Sequence, residues 1–254
     1  PDLSFVHTAV DLIQNNVKTP TLVINESTSY PGTLRKEIAG RITGITHLYA
    51  SSPERVDPGN TEWGTKNTPR LIGGLTSEAV SKAKEFYSSF CDTVIEVSSP
   101  EVAEAAKIFE NTFRQVNIAL INEVSEVMSK LGISANEVIN AASTKPFGFM
   151  KFQPSIGVGG HCIPVDPLYL TWWARQHGGA ATFVESADSI NHAMPKYVAE
   201  RALGMVDSSI RNPKVLLLGV AYKPGVGDVR ETPVLELRDH LMTQGANVAW
   251  HDPL

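Results

Sequence analysis

Short apolar runs alternate with amphipathic segments over residues 1–97. The runs TLVIN, THLYA, RLIGG and TVIEV are rich in β-branched residues and predict strands. The segments TLRKEIAGRI and SEAVSKAKEFYSSF carry apolar residues at helical spacing and predict helices. Strands that alternate with helices are typical of an α/β domain, and we expect a parallel sheet here.

Residues 98–210 show a long helical periodicity instead. SSPEV, with serines ahead of a proline in the first turn, predicts the start of a long helix that ends near Gly132. The capping box SANE, from Ser134, predicts another helix. Helical pattern then runs to about Val206, with an interruption expected at Pro195. This part is predicted to be a helical domain.

Residues 211–254 return to the α/β pattern. The apolar run KVLLLGVAY is followed by a glycine-containing loop, the helical ETPVLELRDHLMTQG and the strand-like NVAW, which is the order of a βαβ unit. No GxGxxG turn, the glycine pattern that opens a mononucleotide-binding sheet, occurs in the chain. The expected fold is α/β, with a partial Rossmann-like domain at each end and a helical domain between them.

Composition excludes several classes of partner. The net charge is −5 and no basic block occurs, so nucleic acid is not an expected partner. No apolar run approaches the length of a membrane span and no leader pattern opens the chain, so we expect a cytoplasmic protein without membrane contact. The 2 cysteines make no disulfide framework, and no Cys/His spacing predicts a metal site.

One cysteine lies in an unusual setting, in the segment GVGGHCIPVDPLYL from Gly157 to Leu170. Glycine-rich backbone costs entropy to order, so Cys162 is a candidate nucleophile, with a buried small hydrophobe as the alternative. Backbone amides and a nearby helix start would favour its thiolate. Cys91, which precedes the strand TVIEV, is predicted to lie in the core instead.

Two neighbours of this cysteine carry ionisable groups. Asp166, followed by Pro167 and the apolar LYLTWW, has the pattern of a helix N-cap, which does not exclude a second role. His161 is expected to orient the loop or contact a ligand, and a structural histidine is the alternative.

The long helix carries a possible donor pair. Lys107 and Asn111 are four positions apart and share one face, where an ammonium and an amide would suit an oxyanion or alkoxide. Solvated surface is the alternative for both. Their face lies away from an apolar stripe made by Val102, Phe109, Phe113, Val116 and Leu120.

Two loops that follow predicted strands carry charged residues. Glu54 and Arg55 lie in SPERVDPG, at the position where α/β sheets bind ligands, although a solvated ion pair is the alternative. Lys223 and Arg230 flank PGVGDV and suit an anionic phosphate.

Taken together, seven segments resemble the nucleotide-sugar 6-dehydrogenases of the UDP-glucose/GDP-mannose dehydrogenase family. They are ESTSYPGT, SPERVDPGN, RLIGG, EVAEAAKIFENTFRQVNIALINE, GVGGHCIPVDPLYL, INHAMPKYVAERAL and LGVAYKPGVGDVRETP. The resemblance implies NAD as cofactor, a UDP-sugar as substrate and a homodimer made through the central helical domain. It also implies that this chain is a fragment, without the GxGxxG half of the NAD domain and without the end of the UDP domain.

The resemblance implies a four-electron oxidation of the sugar's C6 hydroxymethyl group to a carboxylate. Cys162 would form a thiohemiacetal and then a thioester. Lys107 and Asn111 would stabilise the oxyanion, Asp166 would assist proton transfer, and Glu54 would assist thioester hydrolysis.

The remaining implied roles concern binding. Thr28 matches a threonine of the family near the nicotinamide and the catalytic water. Arg230 matches an arginine on the cofactor side, and Lys223 matches the lysine that holds the substrate diphosphate. The other residues with implied substrate contacts are Arg55, Gly157, Gly159, Gly160 and His161.

The substrate and the reaction type have alternatives at this stage. His161 and Val165 resemble the N-acetylhexosamine branches, and INHAMPKYVAERAL leans to UDP-N-acetylglucosamine, with UDP-glucose and UDP-N-acetylmannosamine as alternatives. A two-electron β-hydroxyacid-type dehydrogenase would share the Lys/Asn pair and need no cysteine. A non-catalytic dimerising or ligand-binding chain is the third alternative.

Overall fold

The computed structural model describes residues 2–57 and 59–253. The chain divides into two compact units. Unit 1 comprises Pro1–Glu110 and Tyr169–Ala180, and unit 2 comprises Asn111–Leu168 and Ala181–Leu254. The predicted three-domain division at 97/98 and 210/211 stays a prediction. Within the described residues, no helix is both long and apolar enough to cross a membrane.

Unit 1 contains the predicted strands and helices in order, and one further helix precedes them. They are α1 (Ser4–Asn16), β1 (Leu22–Asn25), a π-helix (Leu34–Ala39), β2 (Leu48–Ser51), β3 (Arg70–Gly74), α2 (Ser77–Ser88) and β4 (Val94–Glu96). Helix α1 was not predicted. It follows Leu3, whose side chain makes no capping hydrogen bond, so the usual start signal is missing.

The four strands form one sheet in the order β1-β2-β3-β4. The pairs β1–β2 and β3–β4 are parallel, but β2–β3 is antiparallel, with Ala50 opposite Gly74. The expectation of a parallel sheet is therefore wrong for this pair. The described residues of the connection between β2 and β3 contain no helix, which a crossover between parallel strands usually has.

Two apolar clusters form the core of unit 1. Alternation along β2 places Tyr49 in one cluster and Ala50 in the other. The first contains Val10, Leu34, Ile38, Ile42 and Tyr49, and the second Ala50, Ile72, Ala83, Tyr87 and Cys91. Cys91 is 6% exposed and burial raises the pKa of its thiol, so its predicted core position is confirmed.

The long helix α3 runs from Pro100 to Lys130, as predicted, and Gly132 follows it with φ +69°. The division between the units falls inside α3, after Glu110. The apolar stripe is exposed on it, with Phe109 67% and Leu120 51% exposed. The buried positions on α3 include the polar residues Glu104, Asn111, Thr112, Gln115 and Asn122. For Asn111, the solvated-surface alternative is therefore wrong.

Unit 2 combines helices with a two-stranded parallel sheet. Its further elements are α4 (Ala135–Ala142), α6 (Thr182–Gly204), β5 (Lys214–Leu218), α7 (Pro233–Thr243) and β6 (Asn247–His251). The parallel pairing of β5 with β6 around α7 confirms the predicted βαβ unit. Helix α5 (Asp166–Gln176) begins in unit 2 and continues in unit 1, and it starts at the predicted Asp-Pro.

Helix α6 is not interrupted at Pro195, contrary to the prediction. Proline removes the hydrogen bond to the carbonyl of Asn191, which favours a kink. The residues on both sides of this point are buried, with Met194 5% exposed and Ala199 fully buried. Packing on both sides therefore keeps the helix continuous.

Candidate active site

The candidate nucleophile lies in a turn that leads into α5. The carbonyl of Cys162 accepts hydrogen bonds from the N–H groups of Val165 (3.2 Å) and Asp166 (2.8 Å). The side chain of Cys162 is exposed, so the alternative of a buried small hydrophobe is wrong. The thiol is accessible in a hydrogen-bonded turn, and accessibility is what nucleophilic chemistry requires.

Asp166 and Asn111 form a buried polar contact in unit 2. Asn111 Nδ2 donates to Asp166 Oδ2 over 2.6 Å, and these residues are 8% and 5% exposed. A charge-assisted bond away from water is stronger than its solvated counterpart and fixes the carboxylate. The structure thus brings three predicted residues together, because the backbone of Asp166 also holds Cys162. Lys107 belongs to unit 1 and is half-buried there.

The glycines before Cys162 are needed for close packing. A Cβ at Gly159 would lie 2.9 Å from the carbonyl oxygen of Glu231, and one at Gly160 would lie 2.9 Å from the ring of Tyr222. Gly157 and Gly160 also have φ values of +128° and +87°, which glycine adopts without strain. The loop therefore lies directly against residues 222–233. Its predicted substrate contacts stay predictions.

Three predicted binding residues lie in or beside the loop after β5. Arg230 Nη2 binds Asp228 Oδ2 at 2.6 Å, and His161 Nε2 lies 3.7 Å from the same oxygen. The hydrogen bonds from Arg230 hold the pKa of Asp228 well below its usual range. Lys223 pairs with Val226 through the backbone in this loop. The roles of the three in ligand binding remain predictions.

In unit 1, Thr28 and Glu54 follow parallel neighbouring strands. Thr28 comes after β1 and Glu54 after β2, and the carboxyl ends of parallel strands meet at one edge of a sheet. Backbone bonds extend the pairing, from Ser52 N–H to the carbonyl of Asn25 (2.9 Å) and from Glu54 N–H to that of Glu26 (3.1 Å). The two predicted residues are therefore on neighbouring loops.

Arg70, which the sequence did not single out, organises this edge. Its guanidinium is 5% exposed, donates to Glu54 Oε2 over 2.6 Å and also pairs with Glu26. Tyr87 Oη donates to Glu26 over 2.5 Å. Burial raises the pKa of Glu54, but the bonds from the Val56 N–H and from Arg70 outweigh it and hold the pKa below its usual range. Glu54 is thus kept as a carboxylate.

The side chain of Arg55 binds partners other than Glu54. Its Nη2 lies 2.7 Å from Glu110 Oε1, and its Nη1 donates to the carbonyl of Pro69 over 2.6 Å. The alternative of an ion pair between Glu54 and Arg55 is therefore wrong, because each side chain binds a different partner. The predicted substrate contact of Arg55 is untested.

A buried carboxylate anchors the loop that carries Thr28. Glu104 on α3 is 1% exposed and accepts the N–H groups of Gly32 (2.6 Å) and Leu34 (2.9 Å). These donors are the free N–H groups at the start of a helical segment. Burial raises the pKa of Glu104 to about 7 despite both bonds. Local sequence pattern did not single it out, because its partners lie about seventy positions away.

We expect this carboxyl to make stability pH-dependent. A carboxyl whose pKa rises from 4.5 to about 7 on folding binds more protons in the folded state between those values. Its stability contribution is complete below pH 4.5 and is lost as pH rises to about 7, by up to about 1.4 kcal/mol per pH unit. Glu104→Gln should remove this part of the slope in urea unfolding of the full-length protein.

The matched control is Glu101→Gln on the same helix. Glu101 pairs with Arg35 and its pKa is lowered, so this change should leave the slope between pH 4.5 and about 7 largely intact. Equal slopes for the wild type and Glu104→Gln would contradict the assignment.

Within residues 2–57 and 59–253, no group of three or more His, Cys, Asp or Glu side chains is placed to hold a metal ion.

Comparison with known proteins identifies all three parts of the chain with one family. Residues 1–91 match the NAD binding domain, residues 101–193 the central domain and residues 216–254 the UDP binding domain of the UDP-glucose/GDP-mannose dehydrogenase family. The matched ranges follow one another in the order expected from the sequence.

Individual relatives agree with this result. The UDP-N-acetyl-D-mannosamine dehydrogenase of Methanococcus aeolicus is 38% identical over 255 residues, which is 99% of this chain and 57% of the relative. The UDP-N-acetyl-D-glucosamine 6-dehydrogenase of Pseudomonas aeruginosa is 34% identical, over 100% of this chain and 62% of the relative. The chain thus spans about 60% of the length of these curated relatives.

A solved structure shows the same fold. The UDP-D-ManNAc dehydrogenase of Pyrococcus horikoshii superposes with a TM-score of 0.89 at 33% identity, covering 100% of this chain and 62% of that one. The three matched domains show that the chain, with its exposed cysteine beside a buried Asn–Asp pair, belongs to the UDP-glucose/GDP-mannose dehydrogenase family.

Proposed function

We propose that the full-length protein containing this chain oxidises the C6 hydroxymethyl group of a UDP-N-acetylhexosamine to a carboxylate. The observation that carries the proposal is the arrangement in unit 2, where an exposed cysteine is held by the backbone of Asp166 and the Asp166 carboxylate is held by Asn111. These contacts support the proposed roles of Cys162 as nucleophile, Asp166 as proton acceptor and Asn111 as amide donor.

Cys162 explains how one site can remove four electrons. After the alcohol has lost its first hydride, the thiolate adds to the aldehyde carbon and gives a thiohemiacetal. Loss of the second hydride from that carbon gives a thioester, and water then displaces the thiol to leave the carboxylic acid. NAD+, when bound, supplies the acceptor for each hydride.

Asp166, Asn111 and Lys107 serve the proton and charge changes of these steps. Asp166 takes up the proton of the reacting hydroxyl, and its buried bond from Asn111 keeps the carboxylate in place. Asn111 and Lys107 donate to the oxygen that becomes negative when the thiolate adds. Such donors accelerate the reaction because the charge grows in the transition state.

In unit 1, Glu54 is proposed to activate the hydrolytic water. Its bond from Arg70 keeps it ionised, as a general base requires. Thr28, on the neighbouring loop, would lie on the nicotinamide side of the cofactor. The carboxyl edge of β1 and β2 fits this role, because doubly wound sheets bind nucleotides there. Arg230 is the further residue proposed for the cofactor.

The remaining contacts are proposed for the UDP-sugar. Lys223 would hold the diphosphate, and the backbone around Gly157, Gly159 and Gly160, with His161 and Arg55, would contact the sugar nucleotide. The sequence leaned to UDP-N-acetylglucosamine, whereas relatives named UDP-N-acetyl-D-mannosamine dehydrogenase occur repeatedly at 34–38% identity. We therefore propose the N-acetylhexosamine class and leave both epimers as substrates to be compared.

A homodimer through the central helix is also proposed. Within unit 2, Phe113, Leu120 and Val127 repeat every seven residues on α3 and are 42%, 51% and 47% exposed. Apolar residues with this repeat favour packing against another helix. A second copy of α3 would cover them.

The test is an assay of the full-length protein with NAD+ and a panel of UDP-sugars, followed by NADH absorbance and product mass. We expect two NADH per sugar and a uronic acid with a UDP-N-acetylhexosamine, and less activity with UDP-glucose. One NADH per sugar would instead support a β-hydroxyacid-type reaction. Binding without turnover would support a ligand-binding or scaffold role.

A further inference from the structure

The segment that carries Cys162 is fastened to α3 at both ends. At its end, Asp166 receives the hydrogen bond from Asn111. At its beginning, the N–H of Ser155 donates to Asn122 Oδ1 over 2.8 Å. Both asparagines lie on the part of α3 that belongs to unit 2.

The two asparagines occupy one face of the helix. They are eleven positions apart, which is about three turns, an offset of about 20° and a rise of about 16 Å. A segment of eleven residues could extend to about 36 Å. Chain connectivity alone therefore allows the segment many paths between its two ends. The two tethers, together with the packing of the glycines against residues 222–233, therefore decide its path and the place of Cys162.

Asn122 is the centre of a buried network at the first tether. It is fully buried, and its Nδ2 donates to Asn191 Oδ1 on α6 over 3.0 Å. Asn191 Nδ2 donates in turn to the backbone carbonyl of Gln115 over 3.2 Å. Ser155 Oγ donates to the carbonyl of Gly157 over 2.7 Å, which carries the constraint into the glycine loop.

This network leaves little freedom for the start of the loop. A Cβ at Gly157 would lie 3.1 Å from the carbonyl oxygen of Asn191, so the loop touches α6 directly at this point. A buried amide whose partners are removed leaves unsatisfied polar groups, so the network has a strong preference for this one arrangement.

We propose that Asn122 is a positioning residue that acts through Ser155 and Asn191 to place Cys162. Asn122 touches neither substrate nor the reacting sulfur in this scheme. It fixes one end of the segment while Asn111 fixes the other. The inference rests on the proposed role of Cys162 as the nucleophile.

The test compares Asn122→Ala with Asn117→Ala in the full-length protein. Asn117 is on the same helix but makes a local bond to the carbonyl of Phe113, so its loss should not reach the loop. The first readout is the rate at which iodoacetamide alkylates Cys162 in the native protein, identified by peptide mass. Cys91 is buried and serves as the internal reference.

For Asn122→Ala we expect the alkylation rate of Cys162 to change at least threefold and kcat to fall on the order of 10- to 100-fold, with a smaller change in KM. Asn122→Asp keeps the acceptor for the Ser155 N–H and should restore part of both readouts. Asn117→Ala should match the wild type.

Alkylation and kcat within about twofold of the wild type in folded Asn122→Ala would overturn the proposal. If that variant does not fold, Ser155→Ala replaces it, because it removes the hydrogen bonds of Ser155 Oγ with Gly157 and Asn122 from a partly exposed loop, and the same two criteria apply. The alkylation rate does not depend on turnover. An altered rate in a protein that does not oxidise nucleotide sugars would therefore support the positioning role and refute only the proposed function.

Discussion

Replacing Cys162 with alanine is expected to abolish uronic acid formation by the full-length protein. The first oxidation needs no thiol, so the variant should release an aldehyde with one NADH per sugar. Without the sulfur there is no thiohemiacetal and no thioester, so acid formation should fall on the order of 10³-fold or more. Product analysis by mass spectrometry separates the aldehyde from the acid.

Cys91→Ala is the matched control. Cys91 is 6% exposed among Ala50, Ile72, Ala83 and Tyr87 in unit 1, so its loss should lower stability and leave the product unchanged. Acid formation at a near wild-type rate by Cys162→Ala would contradict the covalent mechanism.

Elements specified by local pattern were the ones that the sequence predicted. The strands of unit 1, the start of α3 at Pro100 and the end of α3 near Gly132 all follow from residues within a few positions of each boundary. The start of α5 at Asp166 belongs to the same class, because the Asp-Pro pair acts locally.

Features decided by distant residues were missed. The direction of β3 against β2 depends on the connection between them, and the pattern of the strands carries no record of it. Pro195 was expected to interrupt α6, but the buried residues around it hold the helix together. The connection decided the first outcome and packing decided the second.

The buried face of α3 also depends on distant residues that the sequence pattern does not reveal. Periodicity separated an apolar stripe from a polar face, and the structure buries polar residues of that helix while it exposes Phe109 and Leu120. Glu104, Asn111 and Asn122 find their partners 33 to 72 positions away in the chain. A single sequence does not pair such residues, so Glu104, Arg70 and Asn122 could not be assigned from it.

For Lys107, the expected result is a large loss of turnover with little loss of substrate affinity. Lys107→Ala in the full-length protein removes the proposed donor to the oxygen whose charge grows as the reaction proceeds, so kcat should fall about 10²–10³-fold. The dissociation constant of the UDP-sugar, measured by calorimetry, should change far less, because the ground-state oxygen is neutral.

Lys130→Ala separates this effect from the general loss of a cation on α3. Lys130 is exposed at the end of the same helix and pairs with Glu126 one turn earlier, a solvent-screened contact that contributes little. That variant should keep wild-type turnover. If Lys107→Ala also keeps it, Lys107 is a solvated surface residue, and the donors for the developing oxyanion must be sought among Asn111 and the backbone amides of the Cys162 turn.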